Sequence, residues 1–152
     1  MSHEVIVFGS IEGADPEPLR ALNKAVLAEL PIEEEWPWLV RGMFALPAEW
    51  PRGTYRSQVI HFGASFKDEP QDRACWDVWI GKFEALLRRL YWWSATLHLE
   101  TEFEPERVFR WLPTAAAIER MAGDPPLPVQ EWQRSVVDLA NYTNWHSSAN
   151  DS

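Results

Sequence analysis

The chain has 152 residues, a formal net charge of −9 at pH 7, one cysteine (Cys75) and ten tryptophans. A single cysteine excludes an internal disulfide framework and a cysteine metal site. The acidic balance argues against nucleic acid or an anionic membrane as partner, because both are gripped through Lys and Arg.

The length is that of one domain, expected to cover residues 1–145 with a disordered polar tail at 146–152. Met1-Ser2-His3-Glu4 lacks the basic and apolar segments of a signal peptide, and no apolar run approaches the ~20 residues that span a bilayer. The expected compartment is the reducing cytoplasm.

In chain order, His3 to Ile11 is a short apolar, β-branched run that reads as a buried central strand. Asp15-Pro16 is a helix start, and Leu19, Leu22, Val26 and Leu30 recur at helical spacing until Pro31. Glu33-Glu34-Glu35-Trp36-Pro37-Trp38 reads as an acidic loop, Leu39 to Leu46 as a second strand, and Pro47, Pro51 and Gly53 as a turn. Tyr55 to Phe66 is a third strand. From Asp72 to Leu90 the residues Trp76, Trp79, Ile80, Phe83, Leu86, Leu87 and Leu90 form one helical apolar stripe.

Tyr91 to Phe103 switches to period two. Trp93, Ala95, Leu97 and Leu99 fall on one face, and Ser94, Thr96, His98, Glu100 and Glu102 on the other. Arg107 to Leu112 is a fifth strand, Thr114 to Ala122 a short helix capped by Thr114, and Val129 to Ala140 a last helix through Trp132, Val136 and Leu139. The fold class is therefore α+β. An antiparallel sheet of four to five strands carries two main helices on one face, with a ferredoxin-like β-α-β-β-α-β core and a C-terminal β-α extension. That plan leaves the second sheet face open and sets the third and fourth strands on either side of the first.

Two kinds of chemistry compete for the open face. His61 and His98, with Glu100 and Glu102 nearby, are the residue types that bind a metal or move protons. His-x-Glu-x-Glu is not a defined motif, however, and phosphate-loop and nucleophile-elbow patterns are missing. Cys75, near the start of the long helix, reads as packing. Binding is better represented. Glu33, Glu34 and Glu35 run into Trp36 and Trp38, and Glu100, Glu102, Glu104 and Glu106 alternate along one strand and its exit. Like charges on one side of a strand repel unless cations answer them, and tryptophan is enriched where partners dock.

The opening VFGSIEG, the WP-x-LVRGMFALP segment, HFGASFKDE and WDVWIGKFEALLRRLYWWSATLHLETE together resemble small immunity proteins encoded beside bacterial polymorphic toxins. The resemblance covers about two-thirds of the chain. It implies a cytoplasmic protein with no enzymatic activity, cofactor or metal, which blocks a cognate toxin domain. The toxin domain is expected to be basic, for instance a nuclease. The partner-binding residues expected are Glu33, Glu34, Glu35, Trp36, Trp38, His98, Glu100 and Glu102. The alternatives are a small enzyme or ligand-binding module around His61 and His98, and a homodimer built on the open face.

Overall fold

The structure, a computed structural model, describes residues 4–14, 17–46, 58–67, 73–101 and 106–138. The capping pair Asp15-Pro16, the turn at Pro47, Pro51 and Gly53, residues Glu102 and Glu104, and the tail at 146–152 lie outside these residues.

Among the described residues six antiparallel strands form one sheet: β1 (Glu4–Gly13), β2 (Phe44–Ala45), β3 (Gln58–Lys67), β4 (Trp92–Glu100), β5 (Arg107–Pro113) and β6 (Trp132–Asp138). Their order is β2-β3-β1-β4-β5-β6. Three helices accompany them: α1 (Glu17–Ala28), α2 (Arg73–Leu87) and α3 (Ala115–Met121). The architecture is α+β as expected, with β3 and β4 flanking β1.

Among the described residues the expected four to five strands become six; the two main helices stand, and the short helix expected at Thr114 to Ala122 is α3, with Thr114 capping it by accepting from Ala117 N. The difference lies mostly at the C-terminal end. Residues 129–138 do not form the expected helix; residues 132–138 are β6, paired with β5 over seven unbroken steps from Pro113↔Trp132 to Arg107↔Asp138. Trp132, Arg134 and Val136 satisfy a period of two as well as Trp132, Val136 and Leu139 satisfy a helical one, and the available edge of β5 decides between them. The extension is thus β-α-β, and it widens the sheet instead of covering its open face. Leu39 to Leu46 is also mostly not strand. A 3₁₀ turn occupies Arg41–Met43, and only Phe44 and Ala45 pair, with Phe62 and His61.

One sheet face and the three helices enclose the core. Val5, Val7 and Ile11 of β1, Ile60, Phe62 and Phe66 of β3, Leu97 and Leu99 of β4, and Phe109 and Trp111 of β5 point into it. They meet the α2 stripe (Trp76, Trp79, Ile80, Phe83, Leu86 and Leu87), which is buried throughout as its spacing predicts. Rings make up much of this layer. Phe83 lies 5.0 Å from Phe62, 5.7 Å from Trp79 and 5.1 Å from Trp111, and such pairs add roughly 0.5–1.5 kcal/mol beyond the area they bury. Gly9 makes room for one of them, since a Cβ there would sit 2.7 Å from Phe62 Cζ and 2.0 Å from the Thr96 carbonyl oxygen.

Two details shift the expected faces by one residue. On α1 the buried stripe is Leu19, Asn23 and Leu27, while Leu22 is exposed. Asn23 Nδ2 donates to the Tyr91 carbonyl at 2.8 Å and to Gln58 Oε1 at 3.1 Å, and its Oδ1 accepts from Tyr91 N at 2.8 Å. A buried amide is tolerated because its polar atoms are engaged. On β4 the register slips opposite Glu12 and Gly13, so that Trp92 pairs with Gly13, Ser94 with Glu12, and Trp93 with neither. Trp92 is consequently the fully buried ring, and Trp93 is half-buried.

Candidate functional site: the open sheet face and the tryptophan loop

The sheet face that carries no helix among the described residues is built by strand alternation. Residues opposite the core on β1, β3, β4, β5 and β6 are Ile6, Phe8, Ser10 and Glu12; Val59, His61 and Ser65; Ser94, Thr96, His98 and Glu100; Val108, Arg110 and Leu112; and Ser135 and Val137. An apolar row crosses this polar set: Phe8 (42% exposed), with Ile6 (38%) beside it on β1, and Val108 and Val137 (42%) in register beyond His98. Leu112, 41% exposed, lies apart, opposite Gln133. The apolar run of β1 thus belongs to a central strand with only one buried face.

His98 is the most constrained polar group on this face. Its ring stacks on Phe8, with centroids 4.6 Å apart and planes at 9°. Its Nδ1 lies 2.9 Å from Glu106 Oε1, with both side chains roughly 70% covered (31% and 27% exposed). The carboxylate fixes the ring through Nδ1 and leaves Nε2 as its other polar atom. Glu100 is exposed beside Ile6 in register, and exposed Glu12 accepts from Ser94 Oγ at 3.2 Å. His61 is also exposed on this face, opposite Ser10, with β1 between it and His98. The two imidazoles share a face without forming a cluster. Among the described residues no group of three or more His, Cys, Asp or Glu side chains is placed to hold a metal ion.

The loop of residues 33–38 lies on the other side of the sheet. Trp36 and Trp38 are half-buried and pack on the core. Trp36 is 4.9 Å from Phe66 and 5.8 Å from Trp76, and Trp38 is 4.7 Å from Phe66. Trp79 Nε1 donates to the Trp38 carbonyl at 2.9 Å. Glu34 ties the loop to α2: Lys82 Nζ donates to its Oε1 at 2.7 Å and the Leu39 N–H at 2.9 Å. Burial alone would raise the Glu34 carboxyl. The Lys82 hydrogen bond, the Leu39 N–H and the Lys82 charge outweigh burial and hold it below the usual glutamate range. Glu33 and Glu35 are exposed.

Of the expected partner-binding residues, then, His98 and Glu100 stand together on the open face. Glu33, Glu34, Glu35, Trp36 and Trp38 stand together behind it, and Glu102 lies outside the described residues. Sequence reasoning missed Phe8 and Ile6 as surface residues, Glu106 as the partner of His98, and Lys82 as the partner of Glu34. The HEVIVFGSI run carries no mark that one of its faces is open. The Glu106 signal existed as the last of four alternating glutamates, but it pointed to repulsion instead of pairing.

A third polar junction closes the far side. Glu84 of α2 accepts from Trp111 Nε1 at 2.9 Å and Trp132 Nε1 at 3.2 Å, and Arg134 reaches its other oxygen at 3.5 Å. One carboxylate therefore joins α2, β5 and β6. Beside it a groove of about 520 Å³ runs between Asp77, Gly81 and Glu84 on α2 and Arg107, Arg134 and Val136 on the strands. A smaller apolar cavity of about 290 Å³ lies under Trp93, between Leu19 and Met121. Neither His61 nor His98 lines either one. Among the described residues no helix is long and apolar enough to cross a membrane.

Compared with family models, curated proteins and solved structures, the chain matches none.

Proposed function

We propose that this protein is an immunity protein: a cytoplasmic, non-enzymatic inhibitor that binds a cognate bacterial toxin domain stoichiometrically through its open sheet face. The observation that carries this reading is the composition of that face. Exposed Phe8 and Ile6 lie beside an oriented His98 and the carboxylates of Glu12 and Glu100, in a chain of net charge −9. An enzyme that acts on an anionic substrate presents a basic cleft. Carboxylates raise the rate of encounter with such a surface, and desolvated aromatic side chains supply the affinity. The exposed Glu33 and Glu35 add to the steering field from the other side of the sheet, with Trp36 and Trp38 holding their loop in place.

The finer topology belongs to the same reading. We take β1, α1, β2, β3, α2 and β4 as a ferredoxin-like unit, whose helix-free face is the one available to a partner. A second reading, a small enzyme or ligand-binding module around His98, has one feature in its favour: Glu106 orients the imidazole as a carboxylate orients a general base.

The test is co-expression with the toxin domain encoded by the adjacent gene. The expected result is rescue of growth and a 1:1 complex that Phe8→Ala and Glu100→Lys each weaken at least tenfold by calorimetry. Absence of both rescue and complex would overturn the inhibitor reading. A His98→Gln variant that still protects would set the enzyme reading aside.

A further inference from the structure

The two edges of the sheet are finished differently. An edge strand offers a row of unpaired N–H and C=O groups, and proteins blunt such edges by shortening the strand or by placing charged residues, Pro or a bulge in it. At one edge β2 is only two residues long. At the other, β6 runs seven residues in unbroken register with β5; its sequence, WQRSVVD, has no Pro, and its two charged residues, Arg134 and Asp138, are of opposite sign, so that a second copy can answer them. Among the described residues nothing neighbours its outer side. Both sides of this strand are apolar at the same point: Val136 is 48% exposed on the helix side and Val137 42% on the open side.

We infer that β6 is a strand-pairing edge whose partner is β6 of a second copy of this chain, joined antiparallel about a two-fold axis. The sequence of the strand is complementary to itself in that arrangement. Opposed residues must lie on the same face, so a two-fold sets even positions against even and odd against odd. Centring the axis on Val136 places Val136 opposite its own copy and Ser135 opposite Val137. It also places Arg134 opposite Asp138, twice, setting a cationic residue against an anionic one on each side of the centre. β-branched and opposite-charge cross-strand pairs each favour a ladder. Centring it on Ser135 instead sets Arg134 opposite Val136 and loses both charge matches. The pairing makes one continuous sheet of the two and leaves their open faces side by side. It also brings together the two grooves that Val136 borders, so each copy completes the rim of the other's groove. The inference is independent of the inhibitor reading, because it uses the edge and not the face.

Sedimentation velocity on the full chain across a concentration series tests it. The expected result is a reversible monomer–dimer equilibrium. Asp138→Arg should raise its dissociation constant about tenfold or more, and Arg134→Asp combined with Asp138→Arg should restore it. Arg134 also touches Glu84, so a second measurement is independent of those variants. In a Cys75→Ser background, Val136→Cys should form a disulfide-linked dimer on mild oxidation and Ser135→Cys should not. A chain that stays monomeric at all concentrations, a dimer indifferent to Asp138→Arg, or cross-linking through Ser135→Cys in place of Val136→Cys would each overturn the proposal.

Discussion

Two stretches of this chain carry runs of glutamate, and the fold puts them to different uses. In the 33–38 loop the middle carboxylate is clasped by Lys82 and a backbone N–H, and the neighbouring indoles pack on Phe66 and Trp76. On the open face Glu100 has no such clasp among the described residues, and the rings beside it, Phe8 and His98, stack at the surface. A glutamate counted in a sequence is not yet a charge offered to a partner. It becomes one only where no local cation or N–H has claimed it. The same holds for aromatic residues, since Trp36 and Trp38 look like anchors in the sequence, and their ring contacts are within the chain.

Substitutions on the two sides of the sheet sharpen this contrast. The largest effect is expected in the ring layer. Phe83→Ala removes a fully buried side chain touching three other rings and should cost about 3–5 kcal/mol in urea unfolding. Asn23→Ala comes next, at about 1–3 kcal/mol, because the Tyr91 N–H would lose its buried partner. Glu34→Gln should cost about 1 kcal/mol or less at neutral pH, in the range of partly exposed ion pairs. Because folding holds this carboxyl below its unfolded value, its contribution is complete above the unfolded value and is lost as pH falls through the folded one. The unfolding midpoints of wild type and variant should therefore converge in acid. A gap that persists once the carboxyl is protonated would show that Glu34 acts through something other than its charge, and no gap at any pH would show that the loop is held by its tryptophans alone. Phe8→Ala should change stability least, by about 0.5 kcal/mol. A loss rivalling that of Phe83→Ala would mean that the open face is not a free surface.

What could be read from the sequence follows from how local each signal is. The α2 stripe was legible because seven apolar residues repeat at one period. The alternation of β4 was legible from Ser94 onward. Trp93 was misplaced because a register slip against β1 is decided by the partner strand and leaves no local trace. Leu22 and Asn23 were exchanged on α1 because hydropathy favours the leucine, whereas the Tyr91 backbone needs the amide. β6 was missed for a similar reason: its spacing fits two periods, and only the free edge of β5 selects one. The open face was foreseen as a consequence of topology. Its apolar strip was not, since a mixed run such as HEVIVFGSI reads alike whether one face or both are covered.

The position of β1 sets an order of events. It precedes both of its neighbours in the chain yet lies between them, pairing with β3 and β4, so neither ladder that involves it is a local hairpin. During synthesis it must wait until residues near 100 have left the ribosome, and closing those two long loops is the entropically expensive step of folding. β5 then adds beside β4, and β6 beside β5, without a further long crossover. Late addition at an edge also means early loss. Native-state hydrogen exchange on the dilute monomer should find the slowest amides in β1 and faster ones in β6, giving the molecule a lasting centre and a renewable margin.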